Sequence, residues 1–179
     1  MDLSPSPLAR TFPELPSIDG VTLRVARAGY KDWNRADLTF AELAEGTAVA
    51  GVFTKSACAS SEVEMGRVQV GQGSARALIV NAGNSNAFTG HRGREAVEQI
   101  VAQVATALGC RDEEVFVSST GVIGVPLPRD KAREVLVALQ GRDIDMIFDE
   151  GLHEFLSWFI AEIGVISMRV HEDYLLGGS

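Results

Sequence analysis

The chain has 179 residues, 46% of them hydrophobic, and 16 Lys and Arg against 24 Asp and Glu give a formal net charge of −8. That length fits one domain or one large piece of a bigger one, and the apolar share allows a sizeable core. The negative balance argues against a nucleic-acid surface and gives no reason to expect anionic-membrane binding, and the apolar runs are far too short to cross a bilayer. The amino terminus, Met1-Asp2-Leu3-Ser4-Pro5, has neither a basic segment nor an apolar run, so no secretory signal is expected. Cys58 and Cys110 lie far apart and form no C-x-x-C, which reads as reduced thiols in a cytoplasmic protein.

In chain order, residues 1–17 are rich in Pro and Ser and read as an extended arm. Val21, Leu23 and Val25 alternate with polar residues, which suits a strand, and Leu38 and Phe40 suggest a second. Gly46 breaks the chain before a third strand over 48–54. Val63 to Val70 alternates as a fourth, closed by a Gly71-Gln72-Gly73-Ser74 turn. Ala77 to Val80 is a short, fully apolar strand. Val97, Ile100, Val101, Val104 and Leu108 then fall on one helical stripe, with Gly109 where a helix-ending glycine belongs. Val115 to Val117 returns to the sheet. Pro126 and Pro128 open a second helix carrying Ala132, Val135, Leu136 and Leu139 on one face. A third amphipathic helix is expected over 143–162, and a last strand over 165–170. Strands first and helices interleaved later predict an α/β or α+β layered domain.

Two segments stand out. Residues 77–90 run from the apolar strand into Asn81-Ala82-Gly83-Asn84-Ser85-Asn86-Ala87-Phe88-Thr89-Gly90, and 115–124 run from a strand into Ser118-Ser119-Thr120-Gly121-Val122-Ile123-Gly124. Such segments bring backbone N–H groups and small neutral side chains to a sheet edge. In the second, the Thr120 hydroxyl and the Gly121 N–H suit the stabilisation of a developing oxyanion. The alternative is an ordinary tight turn after a strand. Asn81, Asn84 and Asn86 divide the same way between turn-making bonds and ligand contacts. Ser118 and Ser119 are possible nucleophiles, but no G-x-S-x-G elbow surrounds them and no histidine is near in sequence. The glycines around His91 and Arg92, ahead of a helix, admit an anion, but neither segment matches a phosphate-loop or dinucleotide fingerprint. His91, His153 and His171 share no ligand spacing, so no metal site is expected, and no cofactor is expected either.

Taken together, these segments resemble the ornithine acetyltransferase family of arginine biosynthesis (the bifunctional ornithine acetyltransferase/N-acetylglutamate synthase). The resemblance covers about residues 8–140. It is carried by Phe12-Pro13 and Ile18-Asp19-Gly20-Val21, by the stretch from Ala44-Glu45-Gly46-Thr47 to Thr54-Lys55-Ser56, by residues 75–90, and by Ser119-Thr120-Gly121-Val122-Ile123-Gly124 with Pro126-Leu127. It implies a layered α/β sandwich with β-sheets inside and helices outside, incomplete in this chain. It also implies glutamate N-acetyltransferase chemistry. In the family a precursor cuts itself into two chains, and the threonine that begins the second takes acetyl from N-acetylornithine and passes it to glutamate. Some members also accept acetyl-CoA. The family's oxyanion hole is the Thr-Gly pair of the S-T-G-V-I-G motif, here Thr120 and Gly121. The substrate-binding residues belong to the second chain and are not identified in this sequence. An oligomer is expected.

The resemblance stops near residue 140. Residues 141–179 carry two Lys and Arg against eight Asp and Glu, and include Phe148, Phe155, Trp158, Phe159 and Tyr174. No threonine follows Thr120 in these 179 residues, so the family's nucleophile is not among them. The chain therefore divides into an arm (1–17), an acetyltransferase-like amino-terminal domain (18–140) and a divergent acidic tail (141–179). Besides a phosphate-site enzyme using the Asn-rich loop, two functions follow. One is the amino-terminal part of the acetyltransferase, inactive alone and working only with a complementing Thr-led chain. The other is a non-catalytic binding or interaction protein on the same scaffold.

Overall fold

The computed structural model describes residues 18–34, 36–128 and the backbone of 166–169. Six strands and two helices are present among them: β1 (Val21–Ala26), β2 (Leu38–Leu43), β3 (Ala48–Gly51), α1 (Ser61–Gln69), β4 (Ala77–Asn84), α2 (Gly90–Leu108), β5 (Val115–Val122) and β6 (Ile166–Arg169). Four strands form a mixed sheet in the order β1-β2-β4-β5. β1 and β2, and β2 and β4, pair antiparallel, whereas β4 and β5 run parallel from Ala77↔Val115 to Asn84↔Val122. A parallel pair needs a crossover, and α2 supplies it.

One sheet face carries the helices. The stripe read from the sequence is the buried face of α2: Val97, Ile100, Val101 and Val104 pack with Leu38, Phe40, Ile79 and Val115. Each such side chain contributes about 1.5–3 kcal/mol before ordering costs. Gly109 ends the helix in the left-handed conformation (φ 64°), its N–H donating to Ala105 O. On the other face Phe116 packs with Leu43, Val49 and Ala75, so β3 lies against this side. Alternation along β5 places Val115, Val117 and Ser119 toward the helices and Phe116, Ser118 and Thr120 toward the opposite face. This is the layered α/β arrangement expected from the sequence.

Two strand assignments change. The third strand ends at Gly51 rather than residue 54 and pairs antiparallel with β6, from Ala48↔Arg169 to Gly51↔Ile166. β6 falls within the strand expected over 165–170. The expected fourth strand over Val63 to Val70 is instead α1 with a short 3-10 turn after it. Its alternating valines misled because the buried face of α1 is Glu62, Gly66 and Gln69, not an apolar stripe. Phe53 fills the space over Gly66, and Gln69 Nε2 donates to Asp112 O (3.0 Å) and Val115 O (3.1 Å). The extended arm over 1–17, the helix carrying Ala132 to Leu139 and the tail helix over 143–162 lie outside the described residues.

Candidate functional site

The two glycine-studded segments meet at the carboxyl ends of β4 and β5. Gly83 and Gly121 stand opposite each other in the parallel register. Both have positive φ, 113° and 126°. A Cβ on Gly121 would sit 2.4 Å from the Gly83 carbonyl carbon and 2.6 Å from Asn84 N, so only glycine fits. Beyond the strands the loops stay joined. Ser85 N and Ser85 Oγ both donate to Val122 O (3.0 and 3.1 Å), and Gly124 N donates to Ala87 O (2.8 Å).

The three asparagines build this end of the sheet. All are buried. Asn81 Nδ2 donates to Asn84 O (3.0 Å), and Asn84 Nδ2 to Pro126 O (3.0 Å). Asn84 Oδ1 accepts from Asn86 N (3.1 Å), and Asn86 Nδ2 donates to Gly93 O (3.2 Å). Asn86 has φ 52°, in the region that Asn tolerates better than most residues. Thr89 Oγ1 turns back to donate to Asn86 O (2.7 Å) and Asn86 Oδ1 (2.9 Å) rather than capping α2. These amides serve as turn-makers that fix the loop, which is the structural side of the alternative left open by the sequence.

Thr120 is 5% exposed and lies opposite Ala82, while Gly121 is exposed at the strand end. Ser118 is buried on the Thr120 face. The rim beyond them is apolar: Phe88 and Ile123 are 68% and 63% exposed, and Val122 and Val125 are also open. His91 and Arg92 are exposed, and His91 Nε2 lies 3.3 Å from Glu95 Oε1. Among the described residues no group of three or more His, Cys, Asp or Glu converges as a metal site. Cys58 and Cys110 are both free.

Sequence reasoning missed Glu62. It sits in the first turn of α1, 4% exposed, behind Ser119 and Asn86. Burial pushes its carboxyl above the usual range. Ser119, Ser60 and Asn86 act in the other direction. Neither carboxyl oxygen completes a hydrogen bond of ordinary geometry, and neither does the buried Ser119 Oγ. The available signal was Ser60-Ser61 followed by Glu62 and Glu64, a polar helix start with acids in the first turn. Asp37 is a second buried acid, and it is fully used. Its oxygens accept from the N–H groups of Ala28, Gly29 and Tyr30, which hold the turn after β1.

Likeness to solved structures defines the class of protein: the α/β fold of the ornithine acetyltransferases. The chain superposes on the ornithine acetyltransferase of Mycobacterium tuberculosis, solved with ornithine, at a TM-score of 0.64 and 32% identity. That match covers 67% of this chain and 65% of that one. The arginine biosynthesis bifunctional protein ArgJ of Bacillus halodurans gives 0.61 at 28% identity, covering 66% and 62%.

A profile of the ArgJ family matches residues 22–150, and the chain belongs to that family. The arginine biosynthesis bifunctional protein ArgJ of Zymomonas mobilis subsp. mobilis is 63% identical over 124 residues, which are 69% of this chain and 30% of that protein. The Bradyrhizobium diazoefficiens protein of the same description is 50% identical over 137 residues, covering 76% and 33%. The chain thus spans about a third of the length of these relatives.

Proposed function

We propose that this chain is the amino-terminal part of a glutamate N-acetyltransferase that moves acetyl from N-acetylornithine to glutamate, and that it turns over only with a Thr-led second chain. Family membership supports the reaction class. The observation that carries the site is the glycine-on-glycine contact of β4 and β5, which leaves Thr120 and Gly121 at the strand end with no Cβ between the strands.

In this reading the second chain's threonine Oγ attacks the acetyl carbon of N-acetylornithine. The Thr120 hydroxyl and the Gly121 N–H donate to the oxygen that gains charge. The buried setting of Thr120 strengthens such a bond. Collapse breaks the C–N bond, ornithine leaves with a proton, and an acetyl ester remains on the threonine. The glutamate amine then attacks the ester carbonyl, so that N-acetylglutamate departs and the threonine hydroxyl is restored. No threonine follows Thr120 in these 179 residues, so the reading makes the chain inactive on its own. The exposed Phe88, Ile123 and Val125 rim supports the presence of a covering chain. A cytoplasmic location and an oligomeric enzyme belong to the same proposal.

The test mixes the purified chain with a separately produced second chain of a relative, beginning at its nucleophilic threonine, and supplies N-acetylornithine and glutamate. The expected result is N-acetylglutamate formation and an acetyl adduct of the second chain by intact mass, both absent for either chain alone. Thr120→Ala is expected to lower turnover by about 10²–10³-fold. Tight association of the two chains without any acetyl transfer would favour the interaction-protein reading.

A further inference from the structure

We infer that Glu62 is a positioning residue: its buried carboxyl, acting through Ser119, sets the place of the Thr120–Gly121 peptide at the end of β5. The inference rests on the role proposed above for Thr120 and Gly121. Three buried polar atoms that complete no hydrogen bond of ordinary geometry meet under the sheet, Glu62 Oε1, Glu62 Oε2 and Ser119 Oγ. Buried polar atoms are normally paired, so an orphaned cluster calls for an explanation. Structural bonds account for the other polar groups nearby: Asn86 is tied to Thr89 and Gly93, and Gln69 to Asp112 and Val115.

The geometry links this cluster to the sheet end. Ser119 faces α1, and Thr120, the next residue, faces the opposite side of the sheet. A pull on Ser119 toward Glu62 therefore moves the Thr120–Gly121 peptide. Gly121 has little slack toward β4, because a Cβ placed on it would already meet the Gly83 and Asn84 backbone. The protonated carboxyl has an O–H to donate to Ser119 Oγ and avoids burying an unpaired charge. The ionised carboxyl accepts from the Ser119 hydroxyl instead, so the proton on Glu62 decides which way this contact runs. The groups that act on Glu62 are Ser119 from β5, Asn86 from the loop after β4 and Ser60 ahead of α1, none of them charged. On the α1–α2 seam Arg94 pairs with Glu64 at the exposed side.

The experiment is an NMR titration of the full 179-residue chain labelled with carbon and nitrogen isotopes, in which the Glu62 side-chain signal is assigned by through-bond correlation to its own backbone amide. The expected result is a Glu62 midpoint above those of the exposed glutamates, with the Thr120 and Gly121 amide signals shifting at the same midpoint. In Glu62→Gln that shift disappears, and in Ser119→Ala the Glu62 midpoint stays high while the amides no longer follow it. Titration of Glu62 along with the exposed glutamates, or Gly121 amides that ignore its midpoint, would overturn the inference. So would an unchanged amide shift in either variant. The wild-type titration needs neither variant to fold and no acetyl transfer. An inactive reconstituted enzyme with the coupling intact refutes the proposed reaction, whereas an active one without the coupling refutes the role of Glu62.

Discussion

Gly121→Ala tests the strand-end geometry most directly. The added methyl would lie 2.4 Å from the Gly83 carbonyl carbon, 2.6 Å from Asn84 N and 2.8 Å from Gly83 Cα. All three are backbone atoms at the paired end of the β4–β5 ladder, so no rotamer change relieves them. Forcing a side chain onto φ 126° costs about 1–3 kcal/mol, and overpacking adds about 1–3 kcal/mol more. The expected loss is about 2–6 kcal/mol, a large share of the 5–15 kcal/mol typical of a domain. Gly124→Ala separates the two contributions, because Gly124 also has positive φ (80°) but nothing within 4 Å of its Cβ position. It should lose about 1–2 kcal/mol from backbone strain alone. Urea unfolding followed by circular dichroism reads both as midpoint shifts at constant slope. Equal losses for the two variants, or a Gly121→Ala loss under about 0.5 kcal/mol, would refute the close approach of β4 and β5.

Alanine for glycine inside a helix ordinarily stabilises by about 1 kcal/mol, but Gly93→Ala should destabilise. Its methyl would fall 1.8 Å from Thr89 Oγ1 and 2.5 Å from Asn86 Oδ1, and disrupting those half-buried bonds costs about 1–3 kcal/mol. Adding Thr89→Ala should recover part of the loss in a double-mutant cycle read by thermal unfolding. Asp37→Ala should cost about 3 kcal/mol or more, because three backbone donors lose a charged acceptor. Amide exchange should then speed up at Ala28, Gly29 and Tyr30. For Glu62 the folded state raises the carboxyl's pKa, so its stabilising contribution is complete below the ordinary carboxylate range and is lost as pH rises through the raised value. Glu62→Gln should therefore differ little from wild type in stability at acid pH and become relatively more stable as pH rises. Unfolding free energies across a pH series check this, and a difference that shrinks with rising pH would contradict it.

Short-range pattern alone determined β1, β2, the strand halves of β4 and β5, and α2 with its terminal Gly109. β1 alternates and α2 carries one apolar stripe, the apolar halves of β4 and β5 pack on both faces, and burial of those faces dictates each element. The long glycine and asparagine segments carried the family resemblance as well. α1 stands where the alternating valines predict a strand, because its buried face is Glu62, Gly66 and Gln69, whose fit comes from Phe53 and from carbonyls on a distant segment rather than from periodicity. The sequence offered Asn81, Asn84 and Asn86 equally as ligand groups and as turn-makers. Their packing against Pro126, Gly93 and each other made them turn-makers. Only the tertiary structure brought Glu62 under Ser119 and set Gly121 against Gly83. Both contacts join residues far apart in the chain, through parallel pairing and helix docking that no local spacing encodes.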